Sequence, residues 1–238
     1  MKPARMLARR AGDWLDRHER LARSAGACRI HALALSRVCG RLGGGDRAAF
    51  ELRLAGAVRD DDVVDVDPVT ARLAAAAVPA GHPRPREVAA AVGLDADRAI
   101  SLFLAGPAGH RRAVALIEAA SAYGTRPLPG AGLCAELAMA AALRGARHFD
   151  LFMAARGARA ALYVGDAPRA LADAIRLFFR TLQLADGSFV SPTRLSPAAR
   201  QSPELGFVLA AATGLQALWT LAELGDPALR LMPPATVP

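Results

Sequence analysis

Lysine is all but missing from this chain: Lys2 is the only one in 238 residues. Aromatic residues make up only 5%, isoleucine occurs four times (Ile30, Ile100, Ile117, Ile175), and cysteine three times (Cys28, Cys39, Cys134). Each shortage excludes something. Strands are built from β-branched and aromatic side chains, so a sheet-based fold is not expected. Three scattered cysteines do not make a disulfide framework. Cys28 and His31 lie one helical turn apart, and Cys39, Cys134 and His148 are conceivable partners around zinc. Structural zinc sites show paired short spacings, and only one is present, so buried structural thiols are expected instead. The N-terminus lacks the apolar core of a signal peptide. No run of about 18 apolar residues free of charges and breakers is apparent. A cytoplasmic, bacterial-type protein without a membrane span is the expectation.

What is abundant is alanine, with 56 residues, in a chain that is 53% hydrophobic. Alanine and leucine are strong helix formers. The fold class read from this composition is all-α, with about ten helices packed as hairpins. The formal charge is +8, and residues 1–50 hold 11 basic and 4 acidic side chains, a difference of +7. A basic end can mark a surface for nucleic acid or an acidic partner. The simpler reading is a solvated helix face in an arginine-rich chain.

Apolar periodicity from Leu7 through Trp14, Leu15 and Leu21 predicts a first helix ending near Gly26. A second run, Ile30 to Val38, stops at "GRLGGGD", where Asp46 is placed to cap a third helix over about 46–58. A short helix is expected from Pro68. The breaker "VPAGHPRP" (78–85) divides a basic N-terminal helical half, 1–80, from a C-terminal half, 81–232, the two forming one continuous domain. Helices are expected near 86–92, 95–105, 110–123, 131–146, 166–184 and 203–224. The tail 233–238 is expected to be disordered.

Three motifs invite a functional reading. Asp61, Asp62 and Asp65 spell DDVVD, which resembles the aspartate-rich Mg²⁺ motif of class I terpene synthases. That motif needs a helix, so that residues i, i+1 and i+4 share a face. Pro68 disfavours helical geometry at Asp67, and Val63, Val64 and Val66 are poor helix formers. The second metal-binding triplet of that family is missing. Asp67 as an N-cap with Pro68 at the first helical position explains the segment better, so these aspartates are rejected as a metal site. "PREVAAAVGLDADRAISLF" (85–103) resembles a helix-turn-helix. Its second helix would open with Asp95 and Asp97 where bases and phosphates are contacted, and nucleic acid is not expected as a partner. "TLQLADGSF" (181–189) is the better match. Gln183, Gly187 and Phe189 resemble the Q-x₃-G-x-W repeat of squalene-cyclase-like α/α toroids, with Phe in place of Trp. The surrounding helix hairpins are also similar to helical domains of unknown function found in actinobacterial natural-product gene sets. The resemblance implies an α/α-toroid-like fold with a central cavity. It implies no reaction, and the catalytic Asp-x-Asp-Asp motif of the cyclases is absent.

Carboxylates within apolar helices carry more chemistry. Glu118 sits in "VALIEAASAYG". Glu136 sits in a run with no other charge between Ala131 and Leu143. A buried carboxylate costs several kcal/mol, of order 3 or more, unless it is paired. Tyr123 and Arg126 lie in the loop between these two helices. Glu118 and Glu136, with Tyr123 and Arg126, are therefore the candidate site: an acid/base pair or a pair holding a cation, on adjacent antiparallel helices. No cofactor or metal is expected. The function expected is a cytoplasmic subunit or enzyme of a small-molecule, secondary-metabolite biosynthetic system. It would use a helical pocket for its substrate and act with a partner protein as a homo- or hetero-oligomer. The alternatives are a helix-turn-helix DNA-binding regulator and a Mg-dependent terpene-type enzyme.

Overall fold

A computed structural model describes residues 2–58, 66, 68–78, 94–126, 128, 132–165, 168–189 and 201–225. Among them are eleven α-helices and no strand, an all-α protein. They are α1 (Lys2–Arg17), α2 (Glu19–Ala22), α3 (Gly26–Arg41), α4 (Ala48–Ala55), α5 (Pro68–Ala77), α6 (Ala96–Leu104), α7 (Pro107–Ala120), α8 (Gly132–Arg147), α9 (Leu151–Val164), α10 (Arg169–Leu182) and α11 (Pro203–Gly225). The chain divides into two compact units, residues 1–88 with 180–219, and residues 89–179 with 220–238. The first unit thus takes in a late stretch of chain as well as the N-terminal half expected from the sequence.

In the first unit α3 is the central helix. Cys28 to Ser36, Val38 and Cys39 are all buried, so the helix is covered on nearly every side. Such a helix must be apolar all round, and its polar members are accordingly tied down. The His31 ring bonds the Ala27 carbonyl, and Ser36 donates to Glu51 at 3.0 Å. Arg47, almost fully buried, donates to Asp16 at 2.8 Å and to Ser36 at 3.3 Å, while its guanidinium lies 4.5 Å above the Phe50 ring. One side chain thereby joins α1, α3 and α4. The N-cap of α4 is Arg47 rather than the expected Asp46, which lies one residue earlier and accepts from the Ala48 amide at the first helical position. α1 turns Leu7, Ala8, Ala11, Trp14 and Leu15 inward and Arg5, Arg9, Asp13 and Arg17 outward. Trp14 stacks on Phe207 at 5.1 Å.

The Gln183–Phe189 segment is a clasp on α1. The Gln183 amide donates to the carbonyls of Leu7 (2.9 Å) and Gly187 (3.0 Å). An isolated antiparallel bridge pairs Gln183 with Phe189, whose ring is buried. Gly187 holds φ +91°, and a Cβ there would lie 2.1 Å from the Arg10 carbonyl oxygen. Only glycine meets both demands. The residues that resemble the toroid repeat therefore have a definite structural role.

In the second unit α8 and α9 form the tightest helix pair. A Cβ on Gly157 would lie 2.9 Å from the Ala142 nitrogen, and one on Gly145 would lie 2.6 Å from the Ala154 nitrogen. Ala138, Ala141 and Ala142 of α8 and Ala154, Ala158 and Ala161 of α9 are all buried. With so few aromatics, the core is closed by bringing backbones together. The sequence reading assigned no helix to 151–164, so α9 corrects it. α8 consequently packs mainly on α9, rather than forming the expected hairpin with α7.

Several expectations fall on residues outside those described: Asp61, Asp62, Asp65, Asp67, most of the breaker at 78–85, the first half of the helix-turn-helix segment and the tail 233–238. α5 does begin at Pro68. One further correction concerns hydropathy. The 18 residues between Glu204 and Glu223 carry no charge. α11 is thus long and apolar enough to cross a membrane, with a window of mean hydropathy 1.6 that is 67% buried within the protein.

Gly187→Ala should cost more than about 1 kcal/mol, because the new methyl meets both an unfavourable φ and the α1 backbone. Urea denaturation measures this. An unchanged midpoint would contradict the clasp.

Candidate functional site

Glu118, near the end of α7, is 1% exposed. Both its carboxylate oxygens are taken by α9. Arg156 donates to Oε2 through Nε (2.9 Å) and Nη2 (2.6 Å), and Arg159 donates to Oε1 at 3.3 Å. Arg159 is itself 1% exposed and donates from Nη1 to the Thr220 hydroxyl at 2.7 Å. One face of α9 supplies these groups, since residues 156, 159 and 163 follow helical spacing. Tyr163 completes the row and donates to the buried Glu223 at 2.8 Å. Burial, reinforced by the negative charge of Glu223, holds the Tyr163 phenol well above its usual range. The cluster collects two carboxyl groups, two guanidiniums, a phenol and a hydroxyl from α7, α9 and the end of α11.

The other proposed site residues are placed differently. Tyr123 lies in the turn that ends α7, where Ala122 and Tyr123 both hold positive φ (45° and 56°). Its amide donates to the Glu118 carbonyl at 2.7 Å. The same turn closes through the Arg126 amide, which donates to Ser121, while the Arg126 side chain is exposed. Gly124 must be glycine there, since a Cβ would strike the Tyr163 ring at 2.4 Å with φ at +86°. Glu136 is exposed on α8. The structure thus brings Glu118, Tyr123 and Arg126 into one turn through the backbone. It corrects the expectation that Glu136 lies in apolar surroundings beside Glu118. Alanine causes the difference, because an alanine-rich run is as compatible with a solvent face as with a core.

The cysteines behave as expected. All three are free and buried. Desolvation raises the thiols of Cys28 and Cys134, and pushes Cys39 up to about 12. Among the described residues no three His, Cys, Asp or Glu side chains cluster closely enough to hold a metal. Asp95, in the helix-turn-helix segment, is occupied in capping α6 through the Arg98 amide at 2.9 Å.

The second unit also carries an open cleft of about 250 Å³ that sequence reasoning missed. Pro107, His110 and Arg111 from the start of α7 line it. So do Arg144 from the end of α8 and His148 and Asp150 from the α8–α9 turn, over a floor of Ala141, Gly145 and Met153. His110 lies against the Phe103 ring, centroids 5.9 Å apart. Asp150 accepts from the Met153 amide at 3.1 Å, capping α9, and from Arg111 at 2.9 Å. Two imidazoles, two guanidiniums and one carboxylate therefore converge above an apolar floor. The only sequence signal was the basic end of α8, "LRGARH", which reads equally well as a complement to the helix dipole.

Glu118→Gln should cost about 3–5 kcal/mol, because it removes the buried carboxylate charge that Arg156 and Arg159 share. Glu136→Gln should stay within about 0.5 kcal/mol, as surface substitutions do. Chemical denaturation of the two variants checks both values, and equal effects would contradict this placement.

Comparison with family models, curated proteins and solved structures finds no match for this chain.

Proposed function

We propose that this protein handles a small molecule in the cleft of its second unit, as a subunit or enzyme of a small-molecule biosynthetic system. The observation that carries the reading is the convergence of His110, His148, Arg111, Arg144 and Asp150 above an apolar floor. Ligand sites combine an apolar lining with a few convergent polar groups. Imidazoles are the side chains best suited to exchange protons near neutral pH, so the cleft has the groups for binding and for general acid–base work. Both Glu118 oxygens are bonded by Arg156 and Arg159, and the cluster supports the second unit from within. The biosynthetic part of the reading rests on the similarity of the helix hairpins to helical domains of unknown function found in natural-product gene sets, together with an all-α fold.

Histidine-selective NMR tests this on the intact chain, using acetate, acetamide, methylamine and indole as probes. At least one probe should shift the His110 and His148 imidazole signals together while leaving His18 and His31 in place. No response from His110 and His148, or an equal response from all five histidines, would overturn the assignment of the cleft.

A further inference from the structure

The charges in the cleft are not balanced, and the imbalance selects a ligand. Asp150 is the only carboxylate lining it among the described residues, and each of its oxygens accepts a hydrogen bond: Oδ1 from the α9 amide of Met153, Oδ2 from Arg111. Its charge is already matched by the Arg111 guanidinium. Arg111 is neutralised by the same contact. Arg144 lines the cleft with no ion pair among the described residues. A guanidinium presents its donors in a planar fork that matches a carboxylate or a phosphate. His110 and His148 add further nitrogen donors along the same walls. The remaining lining of Ala141, Gly145 and Met153 is apolar and uncharged.

From this geometry we infer that the cleft binds a small organic anion, its carboxylate or phosphate taken by Arg144 and the imidazoles, its apolar part resting on Ala141 and Met153. The size fits: at about 250 Å³ the cleft lies just under the volumes that enclose drug-sized ligands. The inference rests on the cleft being the ligand site, and it narrows that site to one charge class. Arg144 is the positioning charge, and Arg111, held by Asp150, sets the shape of the wall beside it.

The test is titration of the intact protein with inorganic phosphate and with acetate, followed by the His110 and His148 NMR signals. It is carried out on the wild type, Arg144→Gln and Arg112→Gln. Arg112 is exposed on α7 and does not line the cleft. The inference expects saturable shifts in the wild type and in Arg112→Gln. Affinity should fall about tenfold or more in Arg144→Gln, the loss expected of one charge-assisted hydrogen bond. Tighter binding of phosphate would mark a phosphate ester as the natural ligand class, and tighter binding of acetate a carboxylic acid. Either supports the inference. Equal weakening in both variants would overturn it, since the anion would then be responding only to the net charge of +8. If acetamide, methylamine or indole shifts the two imidazoles while phosphate and acetate do not, the cleft remains the ligand site and the anion assignment fails. If no probe shifts them, the cleft reading fails with it.

Discussion

A carboxylate cannot stay charged inside an alanine-rich core without a partner, and the second unit is arranged around that constraint. Glu118 is buried on α7, so cations must reach it. α9 provides two, one guanidinium for each carboxylate oxygen. This fixes the rotation of α9 about its own axis, because residues 156 and 159 must both face α7. The same rotation aims Tyr163 at Glu223 and lets Arg159 reach Thr220. Breaking a buried pair of this kind typically costs several kcal/mol, about 3–5. That is a large share of the roughly 5–15 kcal/mol by which domains are stable.

The scarcity of large side chains shapes the rest. Where aromatic residues would hold helices apart, α8 and α9 instead meet at Gly145 and Gly157, with no room for a Cβ at either position. Close backbone contact gathers many weak dispersion contacts into one interface. At one end of this pair the turn through His148 and Asp150 leaves a cleft, with the start of α7 along its edge. The rigid Ala/Gly pair thus supplies the floor, and the helix ends supply the charged rim. This division places polar groups where they are solvated while their backbone is held by the core.

The all-α character was legible because composition alone decides it: many alanines, few β-branched or aromatic residues. The boundaries of α6, α8 and α11 lie within a residue of those expected from the apolar pattern and the breakers. α9 was not legible. Its segment "LFMAARGARAALYV" carries Gly157 in mid-helix, which costs about 1 kcal/mol against alanine, and two arginines that read as solvent-facing. Packing reverses both signals, since the glycine lets α8 approach and the arginines answer Glu118. Missing α9 left Glu118 without its partners and made Glu136 look like one. Glu136 could not be placed, because alanines around a glutamate do not say which face is wet. The cleft was out of reach for another reason: His110 and Arg111 lie more than thirty residues from Arg144 and His148, and only the fold brings them together.

The central claim is that the Glu118 cluster is the internal frame on which this unit, and with it the cleft, is built. A double-mutant cycle on Glu118→Leu and Arg159→Met, read by chemical denaturation, tests it most directly. If the cluster is the frame, each single variant is strongly destabilised, and the double variant loses much less than the sum. The coupling energy should then fall in the upper part of the roughly 0.5–3 kcal/mol seen for residues in contact. Additive losses, or single variants close to wild type, would contradict the claim.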